Sequence, residues 1–501
     1  MTSDCHIDRI HQCPIADNTT GKKIDMPSIQ VSSTDMKPTI DMIDIQHVRE
    51  ALISLSKELP DGVIVDDPPT IRHMSDGHNR DSGGLLPVAI ISPENVEQVS
   101  AVLAWADRSR IAVYTRGSGT GMGHLSDITE PGVLLLTDRL NRILEINGKG
   151  HYARVQAGVI NADITKAARP YGLYYAPDPA SSALSTIGGN VATNAGGFKC
   201  AKYGVTRDSL MSLKVVLPGG DIIETGRPVT KNVAGLDLTS LITGSEGQLG
   251  VVVEATVRLR PIVHGTANAV VFLKDLKESG DAVSAVLQAP VQPTSLEFMP
   301  VPYIQTYPDA YVPLVGDAAW MLVATTDGWS KEHDLDVIAQ AWERQGLTVV
   351  RPTDEDLETF FVLRKTGKAC PHGDVWSVES DAAVPLDRFA DLLVYIDNLA
   401  RDAKASLFLL AHAGDGNIHL SLMLPRTEND TEPPVRLAAA RSRLLDTVLA
   451  MGGTITGEHG IGLELKDYLP RQLGAHNLEL QRAIRRVFDP NGILNPGKWL
   501  A

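Results

Sequence analysis

The stretch HAGDGNIH, residues 412–419, constrains the fold more than any other part of this chain. Apolar runs precede and follow it, and the Asp415-Gly416 dipeptide favours a two-residue hairpin turn. In that register His412 and His419 face each other across two strands. Cross-strand partners have Cβ atoms about 5 Å apart on one face of a sheet, so both imidazoles could bind one cation. A hairpin whose histidines only hydrogen-bond nearby is the alternative.

A third ligand is predicted in the sequence GEHG, residues 457–460. Glycines on either side leave a carboxylate and an imidazole uncrowded at a tight turn. Glu458 would complete a site of two histidines and one carboxylate. Three protein ligands leave a coordination position free for substrate, which is typical of catalytic metal sites.

The length and the net charge of the chain argue against some classes of protein. The chain has 501 residues, enough for two or three domains, and a formal net charge of −15. That charge, without a Lys/Arg-rich run, argues against nucleic acid as a partner. No apolar stretch reaches the roughly 18 residues of a membrane-spanning helix, and the four cysteines form no CxxC motif. We therefore expect a cytoplasmic protein.

The N-terminal part of the chain changes character near Asp44. Residues 1–42 are polar and lack a sustained apolar period, which is typical of a tail. Farther on, SPENVEQVSAVLAWADRS predicts an amphipathic helix capped by Ser92, with Pro93 at its first position. A short strand, IAVYT, should follow this helix and lead into a glycine-rich loop.

Three glycine-rich segments are candidates for ligand-binding turns. The first, RGSGTGMGH, starts at Arg116 and lets successive backbone N–H groups converge on an anion. It does not fit the GxGxxG dinucleotide fingerprint. The second, PDPASSALSTIGGNVATNAGG at 177–197, can pass close to a flat ligand. The third, GSEGQLGVVVEATVRLRP at 244–261, is a turn entering a strand, and each segment taken alone could be purely structural.

Together these segments resemble the FAD-linked 2-hydroxyacid dehydrogenases. The glycine-rich segments, HAGDGNIH, GEHG and the closing DPNGILNPGKW follow one another in the order seen in that family. The family includes D-lactate dehydrogenases, the flavin subunit of glycolate oxidase and D-2-hydroxyglutarate dehydrogenases. The resemblance extends from about residue 45 to the end of the chain.

The resemblance implies an α+β fold. A two-subdomain FAD-binding domain of the vanillyl-alcohol-oxidase (PCMH) type would span residues 43–265, after the tail at 1–42. A substrate or cap domain, also α+β and with an antiparallel sheet, would span 266–470, and residues 471–501 would return to the flavin.

FAD is the implied cofactor. Some relatives of this fold attach the flavin covalently through a histidine, and His124 lies near the first glycine loop, but we expect non-covalent binding here. The cofactor-binding residues implied by the resemblance are Arg116, Gly117, Ser118, Gly119, Thr120, Gly121, Pro179, Ser182, Gly188, Gly189, Asn190, Thr193, Asn194, Gly196, Gly197, Glu246, Gly247, Gly250, Val251 and Asn495.

The resemblance also implies a reaction, the oxidation of a D-2-hydroxy acid to a 2-oxo acid by hydride transfer to flavin N5. In metal-dependent members, the positions matching His412, His419 and Glu458 bind zinc or manganese, and the position matching His459 is the base. Arg364 matches an arginine that binds the substrate carboxylate, a task that suits a guanidinium with two parallel donors.

One departure from the family favours a monocarboxylate substrate. D-2-hydroxyglutarate dehydrogenases have a lysine fifteen positions after that arginine, and the same count here reaches Glu379. An acidic side chain would repel a second carboxylate, so we expect a D-lactate-like substrate. D-2-hydroxyglutarate or D-malate is the alternative. If Glu379 points away or pairs with a cation such as Lys368, it gives no information about the substrate.

Electrons would pass to a non-NAD acceptor such as an electron-transfer flavoprotein, a quinone or a cytochrome. A flavin subunit of a glycolate-oxidase-like complex is a further alternative. A non-redox transferase of the alkyl-dihydroxyacetone-phosphate synthase type is a remote one, since those enzymes carry consecutive histidines where this chain has only His459. A homodimer and a peripheral position at the inner membrane face are compatible with the family.

Overall fold

The computed structural model describes residues 45–75, 85–301, 315–353, 355–357, 374–426 and 433–500. All of these lie in one compact unit, Met42–Ala501. The predicted tail at 1–42 lies outside the described residues, and so do Arg364 and Lys368.

The described helices are distributed along the whole chain. They are α1 (Ile45–Leu55), α2 (Pro68–Ser75), α3 (Val96–Ser109), α4 (Asn161–Ala168), α5 (Ile187–Thr193), α6 (Cys200–Tyr203), α7 (Thr206–Ser209), α8 (Leu238–Ile242), α9 (Leu276–Leu287), α10 (Lys331–Glu343), α11 (Phe389–Ala403), α12 (Val435–Ala450) and α13 (Leu469–Phe488). Three short 3-10 helices are Arg169–Tyr171, Pro218–Gly220 and Leu386–Arg388. Within this part of the chain, no helix combines the length and the apolar character needed to cross a membrane.

The strands form two sheets in the first half of the chain and one large sheet in the second, besides the short pair β7 (Leu173–Tyr174) and β11 (Arg260–Pro261). A four-stranded sheet has the order β1 (Ile64–Val65), β2 (Ala89–Ile91), β4 (Gly132–Leu136), β3 (Ala112–Arg116). A five-stranded sheet has the order β5 (Ile143–Asn147), β6 (Tyr152–Gln156), β10 (Val251–Arg258), β8 (Leu210–Val216), β9 (Ile222–Gly226). A six-stranded sheet has the order β12 (Thr266–Leu273), β14 (Trp320–Asp327), β13 (Ser295–Pro300), β16 (Ser406–His412), β17 (Asn417–Pro425), β15 (Val375–Ala383).

The amphipathic helix predicted after Ser92 is confirmed as α3, but its predicted cap is wrong. Asn95 is the cap, and its side chain accepts a hydrogen bond from the N–H of Gln98 at 2.9 Å. The backbone N–H of Ser92 instead donates to the carbonyl of Val63, so Ser92 still continues the strand before the helix. The helix therefore begins later than the sequence pattern indicates.

Two glycine-rich segments adjoin strand ends. Strand β3 ends at Arg116, where the first segment begins. Strand β10 starts at Val251, directly after the turn of the third segment, and its predicted alternating side chains are buried. The second segment contains α5, whose cap Thr186 accepts a hydrogen bond from the N–H of Gly189. These strand ends and this helix hold the three segments in place.

The six-stranded sheet is covered by helices on one face. Leu322, Phe298 and Leu420 belong to the large apolar cluster that α9, α10, α11 and α12 share with this face. Burying a leucine side chain fully contributes roughly 1.5–3 kcal/mol, so this packing fixes the sheet. Side chains that alternate with these, such as Met299 and Leu410, point to the opposite face.

The hairpin register differs from the prediction. His412 pairs with Asn417, and Leu410 pairs with His419. The connection is a four-residue loop, 413–416, because the N–H groups of Asp415 and Gly416 both donate to the carbonyl of His412. A shift of two residues preserves the side-chain alternation, so both histidines still share one sheet face. That face is opposite to the one on which α9, α10, α11 and α12 pack.

Candidate active site

Three side chains with metal-binding atoms meet beside the hairpin. Nε2 of His419 lies 3.1 Å from Oε1 of Glu458, and Nε2 of His412 lies 3.7 Å from the same oxygen. One ligand atom from each residue lies within 4.8 Å of the others. The structure thus brings the three predicted metal ligands together. Two imidazole nitrogens and a carboxylate oxygen form a donor set that fits Zn²⁺ or Mn²⁺.

Glu297 fixes the orientation of His412. Its Oε1 lies 2.8 Å from Nδ1 of His412, and the two residues are cross-strand partners on β13 and β16. A carboxylate oxygen accepts hydrogen bonds, so Nδ1 of His412 can donate to Glu297. With its proton there, the ring would present the Nε2 lone pair toward Glu458, which is the orientation that metal binding needs.

The protonation states of two ligands also suit a cation. Burial alone would raise the pKa of Glu458, but its contacts with His412 and His419 hold it well below its ordinary value. Burial lowers the pKa of His419, although Glu458 and Asp381 oppose this shift. An ionised carboxylate and a neutral imidazole are the forms that bind metal.

One buried carboxylate holds the GEHG turn. Asp381 is 4% exposed and stands on β15, directly across from His419 on β17. Its Oδ2 accepts hydrogen bonds of 2.8–2.9 Å from the Thr456 hydroxyl and the backbone N–H groups of Gly457, Glu458 and His459. Its Oδ1 accepts a hydrogen bond of 2.7 Å from Nδ2 of Asn417. The turn is therefore tied to the neighbouring strands.

Asp381, His419 and His459 also have ligand atoms within 4.8 Å of one another. Their carboxylate already accepts hydrogen bonds from five protein donors, which use its lone pairs. This second group is therefore a poorer fit for a cation than the cluster of His412, His419 and Glu458.

His459 lies between the metal-ligand cluster and the glycine-rich segments. Its ring stacks on that of His419, with ring centroids 4.9 Å apart and an interplanar angle of 18°. His459 and Glu458 both line the cleft that the glycine-rich segments form. A base at this position would reach a substrate held between the cluster and a flavin.

The glycine-rich segments line a cleft of about 490 Å³. The predicted cofactor residues that line it are Arg116, Gly117, Ser118, Gly119, Thr120, Gly121, Pro179, Gly189, Asn190, Thr193, Gly196 and Glu246. A smaller cavity of about 70 Å³ is lined by Gly188, Gly247, Gly250 and Val251, among others. Ser182, Asn194, Gly197 and Asn495 line neither of these two spaces.

Two glycines lie in close contact with side chains of other segments. A Cβ atom at Gly117 would lie 2.1 Å from Oγ1 of Thr186, so a larger residue there would displace the Thr186 side chain, which caps α5. A Cβ atom at Gly196 would lie 2.8 Å from Oε2 of Glu458. The end of the second segment therefore passes directly beside the metal-ligand cluster.

Glu246 and Asn495 connect the segments. The Glu246 carboxylate accepts hydrogen bonds from the N–H groups of Ile461 at 2.7 Å and Gly462 at 3.1 Å, just after the GEHG turn. Nδ2 of Asn495 donates to the carbonyl of Gly247 at 2.9 Å. Both residues hold the backbone around the cleft.

Sequence reasoning assigned no role in the site to Asp381, Glu297 or Asn417. Glu297 and Asp381 are acidic residues within strands whose other side chains are largely apolar, and charged residues are seldom fully buried without a partner. An acidic residue within such a strand indicates a buried carboxylate that needs a partner. The sequence does not identify that partner, because it lies on a different strand or turn.

Comparison with known proteins identifies the family. The FAD binding domain family matches residues 87–226, and the family described as FAD linked oxidases, C-terminal domain, matches residues 264–499. The glycolate oxidase subunit GlcD of Bacillus subtilis (strain 168) is 36% identical over 423 residues, which are 83% of this chain and 89% of that protein. The chain belongs to the FAD-linked 2-hydroxyacid dehydrogenase family. It is an FAD-dependent oxidoreductase.

Other relatives of this FAD-dependent oxidoreductase carry different names. A D-lactate dehydrogenase of Anaerostipes hadrus is 32% identical over 432 residues, covering 83% of this chain and 90% of that protein. A D-2-hydroxyglutarate dehydrogenase of Stutzerimonas stutzeri (strain A1501) is also 32% identical over 432 residues, covering 83% of this chain and 91% of that protein. Similarity alone therefore does not choose the substrate.

A solved structure agrees with the predicted fold class. The structure of p-cresol methylhydroxylase with bound substrate has a TM-score of 0.73 to this FAD-dependent oxidoreductase, at 17% identity, over 91% of this chain and 97% of that chain. At this identity the likeness concerns the fold alone. The α+β fold of the vanillyl-alcohol-oxidase type is confirmed, as is the antiparallel sheet in the second half of the chain.

Proposed function

We propose that this enzyme oxidises a D-2-hydroxy acid to the 2-oxo acid, with a D-lactate-like monocarboxylate as the preferred substrate. The observation that carries the proposal is the convergence of His412, His419 and Glu458 next to His459 at one end of the glycine-lined cleft. In this proposal residues 43–265 bind FAD, residues 266–470 bind the substrate, and residues 471–501 return to the flavin.

The reaction requires loss of the hydroxyl proton together with a hydride from Cα. FAD, bound non-covalently in the cleft, supplies the hydride acceptor. His459 accepts the hydroxyl proton, since a neutral imidazole has one unprotonated ring nitrogen that can take it up. The cluster of His412, His419 and Glu458 holds a divalent cation, Zn²⁺ or Mn²⁺, which would lower the pKa of a hydroxyl bound to it.

Arg364 binds the substrate carboxylate in this proposal. A guanidinium that forms two parallel hydrogen bonds fixes the orientation of a carboxylate, and hence the direction of the Cα–H bond. Arg364 therefore contributes orientation, whereas His459 contributes proton transfer.

The preference for a monocarboxylate is supported by the location of Glu379. This residue is exposed and alternates with Asp381 on β15, so both stand on the same face of the sheet. Its cross-strand partner is Ser421, two residues after His419. A carboxylate at this place would repel the second carboxylate of D-malate or D-2-hydroxyglutarate by on the order of 1 kcal/mol.

A second candidate role is that of a flavin subunit in a glycolate-oxidase-like complex. It is favoured by the Bacillus subtilis relative, which is named as a subunit of glycolate oxidase. In either case electrons would leave the flavin for an acceptor such as an electron-transfer flavoprotein, a quinone or a cytochrome. Flavin reduction by substrate in the isolated chain separates an independent enzyme from a subunit that needs its partners.

The proposal is tested by anaerobic reduction of the bound flavin with a panel of D- and L-2-hydroxy acids. We expect bleaching with D-monocarboxylates, loss of bleaching after chelation, and loss of bound metal in His412→Ala. The exposed His476, replaced by alanine, is the matched control. Full activity in a protein shown to contain no metal would refute the metal-assisted reaction, and a flavin that no 2-hydroxy acid reduces would favour the subunit role.

A further inference from the structure

We infer that Asp381 is a positioning residue, which holds His419 and the GEHG turn in the arrangement that metal binding requires. The inference rests on the proposed function, because it concerns the cation held by His412, His419 and Glu458. Asp381 is not a ligand in this arrangement. Its two oxygens have separate tasks, one toward the turn and one toward His419.

The oxygen Oδ2 determines where Glu458 and His459 lie. Three consecutive backbone N–H groups, those of residues 457–459, point at this single atom at 2.8–2.9 Å. A ligand and the proposed base are thus placed by one acceptor on a neighbouring strand. Hydrogen bonds to an ionised acceptor are the strongest kind available to a turn, so the position is well defined.

The oxygen Oδ1 faces His419. It lies 3.4 Å from Nδ1 of His419, a buried nitrogen that has no hydrogen-bond partner within the described ranges. When Nε2 of His419 binds a cation, the ring proton must be on Nδ1. An acceptor must then lie near Nδ1, and Oδ1 of Asp381, 3.4 Å away, would take this role after a small rotation of the ring.

These two tasks explain why the residue is an acid. An asparagine could also hold the turn, with its amide oxygen in the place of Oδ2. Its NH₂ group would then occupy the place of Oδ1 and present a donor to Nδ1 of His419. The imidazole would respond by placing its proton on Nε2, the atom that has to bind the cation. Only a carboxylate accepts hydrogen bonds on both sides.

The substitution Asp381→Asn is therefore a specific test. The turn keeps its acceptor. The Oδ1 atom of the neighbouring Asn417 is buried and has no hydrogen-bond partner among the described residues, so this amide can rotate to accept from the new NH₂ group. We expect normal flavin content and an unfolding temperature close to that of the control variant. Metal affinity should fall by about 10- to 100-fold, the usual effect of losing a partner of a metal-binding histidine.

The matched control is Asp327→Asn. Asp327 is also 4% exposed and lies in the same six-stranded sheet, but its partners are Lys202 and Tyr203 rather than a histidine. Metal affinity is measured as the ratio of metal to flavin during competition with a chelator of known affinity. This ratio reports on the site even if neither variant turns over substrate.

The metal affinities of these variants either support or overturn the positioning role of Asp381. Unchanged metal affinity in Asp381→Asn overturns the inference and leaves the metal site intact. A wild-type protein that binds no divalent metal overturns the metal-assisted function and this inference together. If Asp381→Asn does not fold, Thr456→Val removes one donor to the same carboxylate, together with the acceptor of the Gly460 N–H. We expect a loss of about fivefold or more in metal affinity from these hydrogen bonds. No loss in that variant would count against the inference.

Discussion

Oε1 of Glu246 accepts a hydrogen bond from the backbone N–H of Ile461 at 2.7 Å, across 215 positions of sequence. The same carboxylate accepts a second hydrogen bond from Gly462. Glu246 lies in the third glycine-rich segment, which lines the cleft, and Ile461 follows the turn that carries His459. The proposed base is therefore anchored to a part of the chain that is proposed to hold the cofactor.

Glu246→Ala should slow flavin reduction more than it weakens substrate binding. The loop after His459 loses two charge-assisted hydrogen bonds, and a small displacement of a base costs about tenfold or more in rate. We expect the free energy of unfolding to fall by about 2 kcal/mol as well. Stopped-flow reduction per bound flavin measures the rate, with the exposed Glu343→Ala as control. An unchanged rate would mean that the anchor does not position His459.

His459→Asn should reduce the rate of flavin reduction by about 10² or more, as expected for a lost general base. Substrate binding should change much less, because Asn keeps the size and polarity of the site. His476→Asn on the surface of α13 gives the matched control. Reduction at the wild-type rate in the His459 variant would remove this residue from the mechanism.

Glu379→Lys should shift substrate preference toward dicarboxylates. The change replaces a repulsive charge on the site face of β15 with an attractive one, so we expect at least a tenfold shift in the ratio of kcat/KM for D-malate to that for D-lactate, or about 1.4 kcal/mol. Asp402→Lys, an exposed change on the opposite helical layer, should leave this ratio unchanged. A wild-type preference for either dicarboxylate would show that the charge argument is wrong.

Lys498 should make stability depend on pH in the alkaline range. Burial lowers its pKa from 10.5 to about 8, although Asp127 and Glu246 oppose the shift. Between those values the unfolded chain binds one more proton than the folded chain, so the free energy of unfolding rises with pH. Relative to Lys498→Met, the wild type should gain about 1.5 kcal/mol between pH 8 and pH 9.5. Denaturant titrations of both proteins measure this difference, and a flat or falling difference would contradict the shift.

The meeting of His412, His419 and Glu458 could be predicted from sequence because each residue lies in a short, recognisable stretch. His412 and His419 flank one turn, and Glu458 follows Gly457 in the GEHG turn. The hairpin register could not be predicted, since Gly414 in the loop donates a hydrogen bond to the carbonyl of Leu296 on a distant strand. Such a contact affects the loop conformation, but the residues next to the loop in sequence do not indicate it.

The residues that hold the cluster in place could not be predicted from sequence either, because they contact it from positions that are distant in the chain. Glu297 contacts His412 across 115 positions, and Asp381 contacts the GEHG turn across 76 to 78 positions. Alternation within a strand shows which residues share a face, but not which strand will be its neighbour. The fold class was predicted from the resemblance of several motifs to those of one family. Hydrophobic periodicity in single segments did not predict it.

The six-stranded sheet also has a consequence for divergence between related enzymes. Of the described strands, β15 pairs only with β17, so it lies at the edge. Asp381 near its end is tied to the turn by hydrogen bonds, whereas Glu379, two residues earlier, is exposed. A new side chain at 379 can be accommodated without repacking the core. If Glu379 faces the substrate as proposed, single substitutions at this edge would change the substrate range and leave Asp381, with the side chains that it positions, unaltered.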